Sequence, residues 1–235
     1  MIEKRRWPWV AQQNWEDVLF IHTPVAHYLL RPLVPKPFEI DTYDGRSWVS
    51  IVLFQATHSR LRYMPSFISY PSFYQMNIRT YVKFGREPGV YFFSINTNSG
   101  FVNFGGRFVS LPFQNANLNM QQSQDTFYFE VNRQIKSNNN MLFKVAYEPH
   151  PASITPRVDT LPYFLTERYC IWMIQGKRIV KAPIFHSHWN LHDVKLSIKE
   201  NRGLPFSFSE DTIVHYNAFK HAVIHPFEMF GKVSK

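Results

Sequence analysis

Apolar and aromatic residues in this chain recur at every second position in short runs, and turn-forming residues punctuate the runs. That period places alternate side chains on opposite faces of a strand and fits pleated sheet rather than helix. Asp44-Gly45, a tight-turn dipeptide between Phe38–Tyr43 and Trp48–Gln55, gives the sharpest hairpin signal. In the second run Val49, Ile51 and Leu53 share one face, while Trp48, Val52 and Phe54 share the other. Both faces therefore read as buried. The 22 phenylalanines favour half-buried pleated surfaces, and 16 prolines against 9 glycines favour ordered turns over flexible linkers.

The same pattern predicts hairpins from Phe73–Lys83 with Val90–Thr97, joined through Gly85 to Gly89, and from Tyr169–Gln175 with Arg178–Phe185 around Gly176. A half-exposed strand over Phe127–Val131 is followed by Met141–Tyr147, with the polar run from Ser137 to Asn140 as the turn between them. Further strands are expected near Val194–Ile198 and Ile213–Val223. Helical signals are few. Thr23-Pro24 reads as a cap followed by proline at the first helical position, and Thr160–Leu165 as a short helix capped by Asp159 or Thr160. Alternating strand–helix–strand units are absent, and no repeat or linker divides the chain. The expectation is one mainly antiparallel β domain (α+β) over residues 1–235 with a few short helices.

Cys170 is the sole cysteine, which excludes an internal disulfide and a cysteine-rich zinc site. The opening residues Met1 to Trp9 carry basic charge but no apolar stretch of a secretory signal, and no run approaches the roughly 20 apolar residues of a spanning helix. A cytoplasmic location without membrane association is the expectation. The net charge of +9 is scattered, apart from Lys4-Arg5-Arg6, and no zinc-finger, glycine-rich or RNA-binding aromatic motif accompanies it. Nucleic acid is therefore a disfavoured partner.

One strand stands out chemically. Alternation puts Asn77, Arg79 and Tyr81 on a single face, where a guanidinium could hold a carboxylate bidentately while the amide and phenol fix orientation. The alternative is a solvent-facing strand, or Arg79 paired with an internal acid such as Glu167. His186-Ser187-His188, with His192 beyond, has the spacing of two-histidine metal sites but lacks an assured third ligand, so packing is the favoured reading. His215, His221 and His225 lie among apolar residues without an acid cluster, and Cys170 reads as a small buried hydrophobe. No nucleophile elbow, P-loop or dinucleotide fingerprint is present, and no cofactor is expected.

Several stretches carry a family likeness: Leu19-Phe20-Ile21-His22-Thr23-Pro24-Val25, Asn77-Ile78-Arg79-Thr80-Tyr81-Val82, the run from Pro88 to Ser94, Leu111-Pro112-Phe113 with Ala116, and Phe164-Leu165-Thr166-Glu167-Arg168-Tyr169-Cys170. With these the chain resembles the YqjF-like family of uncharacterised proteins, itself distantly similar to acetoacetate decarboxylase. The resemblance implies an antiparallel β-barrel around a small-molecule pocket. The decarboxylase forms a Schiff base through a lysine beside a second lysine, after a Gly-aromatic-Pro turn. The nearest equivalent here is Ser110 to Asn115, with Phe113 and Gln114 where the lysines should stand. Neither can form an imine, so the mechanism is not carried over; Lys144 is a substitute only if buried. The pocket location is carried over, between the strand of Asn77, Arg79 and Tyr81 and the segment holding Gln114, with His22 and Arg107 at its rim.

Three expectations follow in order. The first is a small-molecule-binding barrel for an anionic or carboxylate-bearing ligand, leaving catalysis open. The second is a non-catalytic interaction module, which includes a homo-oligomer. The third is weak polyanion binding through the basic surface.

Overall fold

A computed structural model describes residues 8–65, 67–108, 110–134 and 140–232, with only the backbone described for residues 106–108. Strand β1 (Ala11–Val25) leads through a helical turn, α1 (His27–Leu30), to the short β2 (Glu39–Ile40) and β3 (Thr42–Tyr43) and the long β4 (Arg46–Leu61). Next come β5 (Phe73–Phe84), β6 (Glu87–Thr97), helix α2 (Gly100–Phe108), β7 (Phe113–Asn115), β8 (Asn117–Ser123), β9 (Thr126–Arg133) and β10 (Met141–Ile154). Helix α3 (Leu161–Thr166) precedes β11 (Cys170–Gln175), β12 (Arg178–Phe185), β13 (Leu191–Arg202), β14 (Ile213–Ile224) and β15 (Glu228–Lys232).

These strands form one sheet. Neighbours pair in the order β12, β11, β6, β5, β4, β1, β14, and β14 pairs again with β12, so the hydrogen bonding returns on itself. The closing contact sets Ile184 opposite Ile224 and Phe185 opposite Val223. From β14 the sheet continues through β13, β10, β9 and β8. The expected antiparallel arrangement holds except at β6, which pairs in parallel with β11 and with β7, so the sheet is mixed.

Most predicted hairpins are present. Asp44 and Gly45 turn at φ 47° and 73°, the positive values a two-residue hairpin of this hand demands. Three expectations are corrected. Thr23 and Pro24 belong to β1, opposite Val49 and Trp48 of β4. The ladder to β14 ends at His22 opposite Ile213, so the proline sits where its missing N–H is not needed. The β5–β6 turn is Gly85-Arg86 alone, because the ladder runs down to Phe84 opposite Glu87 and takes Pro88 into the strand. Thr160 precedes α3 but does not cap it; its Oγ1 donates to Arg157 O at 2.6 Å. The turn predicted over Ser137 to Asn140 and the basic start Met1 to Trp7 lie outside the described residues, Asn140 excepted.

Both faces of the central strands are buried, as the double alternation in Trp48–Gln55 predicts. On one face Leu19, Ile21, Ile51 and Ile78 pack with Phe129 and Phe143 from the β8–β10 extension. On the other, Phe20, Val52, Phe54 and Trp189 cluster, continued by Tyr81, Phe92, Ile95 and Leu165. Each such side chain contributes about 1.5–3 kcal/mol on burial. Gly89 allows β6 to lie against β11: a Cβ there would stand 2.6 Å from Cys170 Sγ, 2.7 Å from Trp172 Cδ1 and 2.9 Å from Cys170 O. Among the described residues no helix is long and apolar enough to cross a membrane.

Candidate functional site

Register assembles the site. Across β1, β4 and β5, Phe20 lies opposite Val52 and Val52 opposite Asn77; one step along, His22 lies opposite Ser50 and Ser50 opposite Arg79. Directly opposed residues project from the same face. The next strand continues the wall: Ile95 faces Asn77 and Phe92 faces Arg79, with a bulge between the two positions. Of these, Phe20, Val52, Asn77, Arg79, Phe92 and Ile95 bound a cavity of about 140 Å³, with Thr166, Arg168, His186 and Trp189 on its far side. Leu111 and Phe113 complete it, so the segment before β7 does reach the cavity.

Arg79 dominates the electrostatics. Its Nη2 donates to Leu165 O at 3.3 Å, while its Nε has no partner. Among the described residues no carboxylate lies within ion-pairing distance of it, and the rings of Phe20 and Tyr81 lie 5.8 and 6.0 Å from the guanidinium carbon. Burial lowers its pKa, opposed by Tyr81. Two further polar atoms on lining residues are unpaired, Asn77 Oδ1 and Trp15 Nε1. The second arginine of the wall, Arg168, is matched: its Nη1 meets Asp41 at 2.7 Å and its Nε donates to Phe164 O at 2.7 Å.

Behind Arg79 lies a polar cluster. Tyr81 donates to Leu165 O at 2.9 Å and is hydrogen-bonded to Ser50 Oγ, which lies 2.6 Å from His22 Nδ1. His22 Nε2 and His215 Nδ1 have no partner, and the two rings are 5.6 Å apart. Burial, then the proximity of His215 and Arg79, holds the His22 pKa well below its ordinary value. Burial likewise draws His215 down to about 4 and raises the Tyr81 phenol.

Of the predicted residues, Asn77 and Arg79 line the cavity. Tyr81 and His22 are fully buried behind the wall and hold the network that positions Arg79. Gln114 is a correction: it is exposed on the outside of β7 and accepts from Arg133 Nη1. In a three-residue strand alternation sends Phe113 inward and Gln114 outward. Arg107 falls within α2, its side chain outside the described residues. Glu167 is not the partner of Arg79. Its carboxylate accepts from Trp189 N at 2.9 Å and from the Tyr169 hydroxyl, and lies 3.3 Å from His188. Lys144 pairs with Glu130 at 3.0 Å on the surface. Trp15 and Phe20 escape the sequence reading, which assigns no strand over 11–22; strict alternation would put them on opposite faces, and the bulge between Glu16 and Leu19, with Asp17 at φ 52°, brings both to the cavity wall.

The histidines separate. His186 packs on Tyr169 and Trp189 inside the wall, His188 meets Glu167, and His192 lies 2.8 Å from His150 O. His221 lies 2.9 Å from Asn14 Oδ1, and the His225 ring packs against Phe185. Among the described residues no cluster of three or more metal-ligating side chains occurs.

Comparison with known proteins fits this geometry. Residues 12–218 match DUF2071, a family of uncharacterized conserved proteins. The chain belongs to that family. An uncharacterized protein of Bacillus subtilis (strain 168), YqjF, is 35% identical over 214 residues, which are 88% of this chain and 87% of that protein. The DUF2071 chain also shares its fold with acetoacetate decarboxylase-like structures. Acetoacetate decarboxylase from Legionella pneumophila has a TM-score of 0.67 at 11% identity, covering 99% of this chain and 93% of that one. An acetoacetate decarboxylase-like enzyme from Sphingomonas wittichii RW1 gives 0.64 at 10%, covering 96% and 95%. The enduracididine biosynthesis enzyme MppR, complexed with pyruvate, gives 0.64 at 10%, covering 99% and 95%.

Proposed function

We propose that this chain is a cytoplasmic β-barrel that binds a small organic carboxylate in the cavity beside Arg79, without Schiff-base chemistry. One observation carries the reading: a half-buried guanidinium on the cavity wall, its Nε buried and unpaired, with no carboxylate partner among the described residues. Withdrawing an unmatched charge even partly from water is costly, and arginine does not shed its proton. A bound carboxylate restores the balance, taking charge-assisted hydrogen bonds from Arg79, while Asn77 Oδ1 accepts from any donor on the guest. Fold neighbours that include a pyruvate complex and acetoacetate decarboxylases support a small acid in this place. Among the described lining residues none is a lysine and Phe113 occupies the corresponding segment, which speaks against the imine route. The closed circuit of strand pairing supports the barrel, and a lone cysteine suits a reducing compartment.

A thermal-shift screen of organic acids on the wild type and Arg79→Gln tests the proposal. Acids should raise the wild-type Tm in proportion to occupancy. Loss of one charge-assisted contact should weaken binding about 10- to 100-fold in the variant. Equal shifts in both proteins, or none in the wild type, would refute it.

A second reading, an interaction module, draws on exposed aromatics near α2. Tyr63 and Phe67 are 93% and 86% exposed, and Phe101 stacks on Tyr70. Light scattering at high concentration decides it, since a strict monomer removes the homo-oligomeric form of that reading.

A further inference from the structure

We infer that the guest is a monocarboxylate whose remainder is a benzene-sized apolar group, aryl or branched alkyl, rather than a short keto, hydroxy or dicarboxylic acid. This rests on the carboxylate reading above and narrows it. Size comes first. A cavity of about 140 Å³ is close to the engineered apolar void of ~150 Å³ that admits benzene in another protein. A three-carbon acid would leave much of that space without contacts, and unfilled apolar space forfeits dispersion on every wall atom.

The chemistry of the wall makes the same selection. Beside the single unmatched cation stand Phe20, Val52, Phe92, Ile95, Leu111 and Phe113, none of which can hydrogen-bond through its side chain. A second carboxylate on the guest would meet these surfaces uncompensated, because the other arginine of the wall already holds Asp41. A keto or hydroxyl group turned toward them would likewise lose its water without replacement. An aryl ring meets a suitable surround: Phe20 and Trp189 contact edge to face at 4.9 Å, and Trp15 lies 5.6 Å from Phe54. Rings added to such clusters find both faces and edges to pack on. Of the polar side chains on the wall, Asn77 Oδ1 and Trp15 Nε1 are unpaired and accommodate one donor and one acceptor, while Thr166, His186 and Trp189 are bonded within the protein, so little is left for a polar tail.

Calorimetric titration of the wild-type chain with benzoate, phenylacetate, isovalerate, pyruvate, acetoacetate and malonate tests this, with benzyl alcohol as the uncharged comparison. The ranking is read on the wild type, so it does not depend on any variant folding. Benzoate, phenylacetate or isovalerate should bind at least tenfold tighter than pyruvate, acetoacetate and malonate. In Arg79→Gln, checked for native circular dichroism, the favoured acid should lose at least tenfold while benzyl alcohol changes little. Pyruvate, acetoacetate or malonate binding as tightly as benzoate, in an Arg79-dependent way, overturns this inference and leaves the carboxylate reading standing. No acid binding to the wild type, or equal binding to the folded variant, overturns both.

Discussion

Arg79 and Gly89 show two ways in which one position can matter. Arg79 was legible in the sequence because alternation alone puts it beside Asn77 on one face of β5. Its lack of a partner was not legible, because Glu167 is spent on His188, Tyr169 and Trp189, contacts made by chain far from β5. Gly89 gave no sequence signal beyond being a glycine near a turn. In the structure it marks a close approach of β6 to β11, with Cys170 and Trp172 inside the volume that a methyl group would occupy. One of the atoms in that volume is backbone, which cannot rotate away. Gly89→Ala should therefore cost about 1–3 kcal/mol as overpacking. Urea unfolding is the check: the midpoint should fall while the slope stays the same.

At the level of elements, periodicity finds most of the long strands, misses β1 and loses the short ones. β5, β11, β12 and β14 are long or strongly alternating, and each is expected within a residue or so of its observed bounds; β4, expected over Trp48–Gln55, runs from Arg46 to Leu61. β7 and β15 are brief and made by pairing with a neighbour already in place, so nothing local announces them. α2 lies in a segment, from Gly100 to Phe108, with two internal glycines, Gly105 and Gly106, that weaken any helical signal. Thr23-Pro24 shows how ambiguous one local signal is. A proline at a strand end and a proline at a helix start look alike in sequence; what separates them is whether the neighbouring strand extends far enough to need the missing donor. Here β14 stops short of it. The β1 residues Trp15 and Phe20, which form part of the cavity wall, stay hidden for another reason: a bulge at Asp17 breaks the alternation between them. α3 shows how a short element acquires importance through what it anchors: its Leu165 carbonyl accepts from both Arg79 and Tyr81, and Arg168 just beyond it reaches Asp41 on the loop before β3.

For the whole molecule, the buried histidines tie stability to pH. His22 and His215 are held neutral by burial, with His215 brought down to about 4. An unfolded chain titrates histidine near 6.5, so between about 6.5 and 4 the unfolded state takes up protons that the folded state refuses. Their contribution is intact above about pH 6.5 and drains away as pH falls, at up to about 1.4 kcal/mol per pH unit for each group. Urea midpoints measured from pH 7 to pH 4.5 should show that decline. His215→Gln should flatten it, since the amide does not titrate in this range; an unchanged slope would count against the assignment. None of this could be read from His22 and His215 in sequence, where they lie far apart and only the β1–β14 ladder brings them together.

The ring of paired strands has a clasp. Most neighbours around the circuit are held by long ladders or by a hairpin turn; β6 and β11 share the single register pair Val90–Ile171, braced by Cys170 Sγ on Pro88 O and Trp172 Nε1 on Glu87 O, whereas β12 and β14 are paired at Ile184–Ile224 and Phe185–Val223, with His225 N donating to Pro183 O beside them. Ile184 and Ile224 are also on the cavity wall. Local opening is cheapest where the fewest hydrogen bonds must break together. The molecule should accordingly breathe at this clasp, admitting and releasing its guest there without loosening β1, β4 or β5. Amide hydrogen exchange gives the check: Phe185, Val223 and His225, whose amides face the seam, should exchange well ahead of Leu53 and Ile78, and a saturating guest should slow the first group selectively. Residence time in the cavity would then be set by that short seam rather than by the strength of the contact with Arg79.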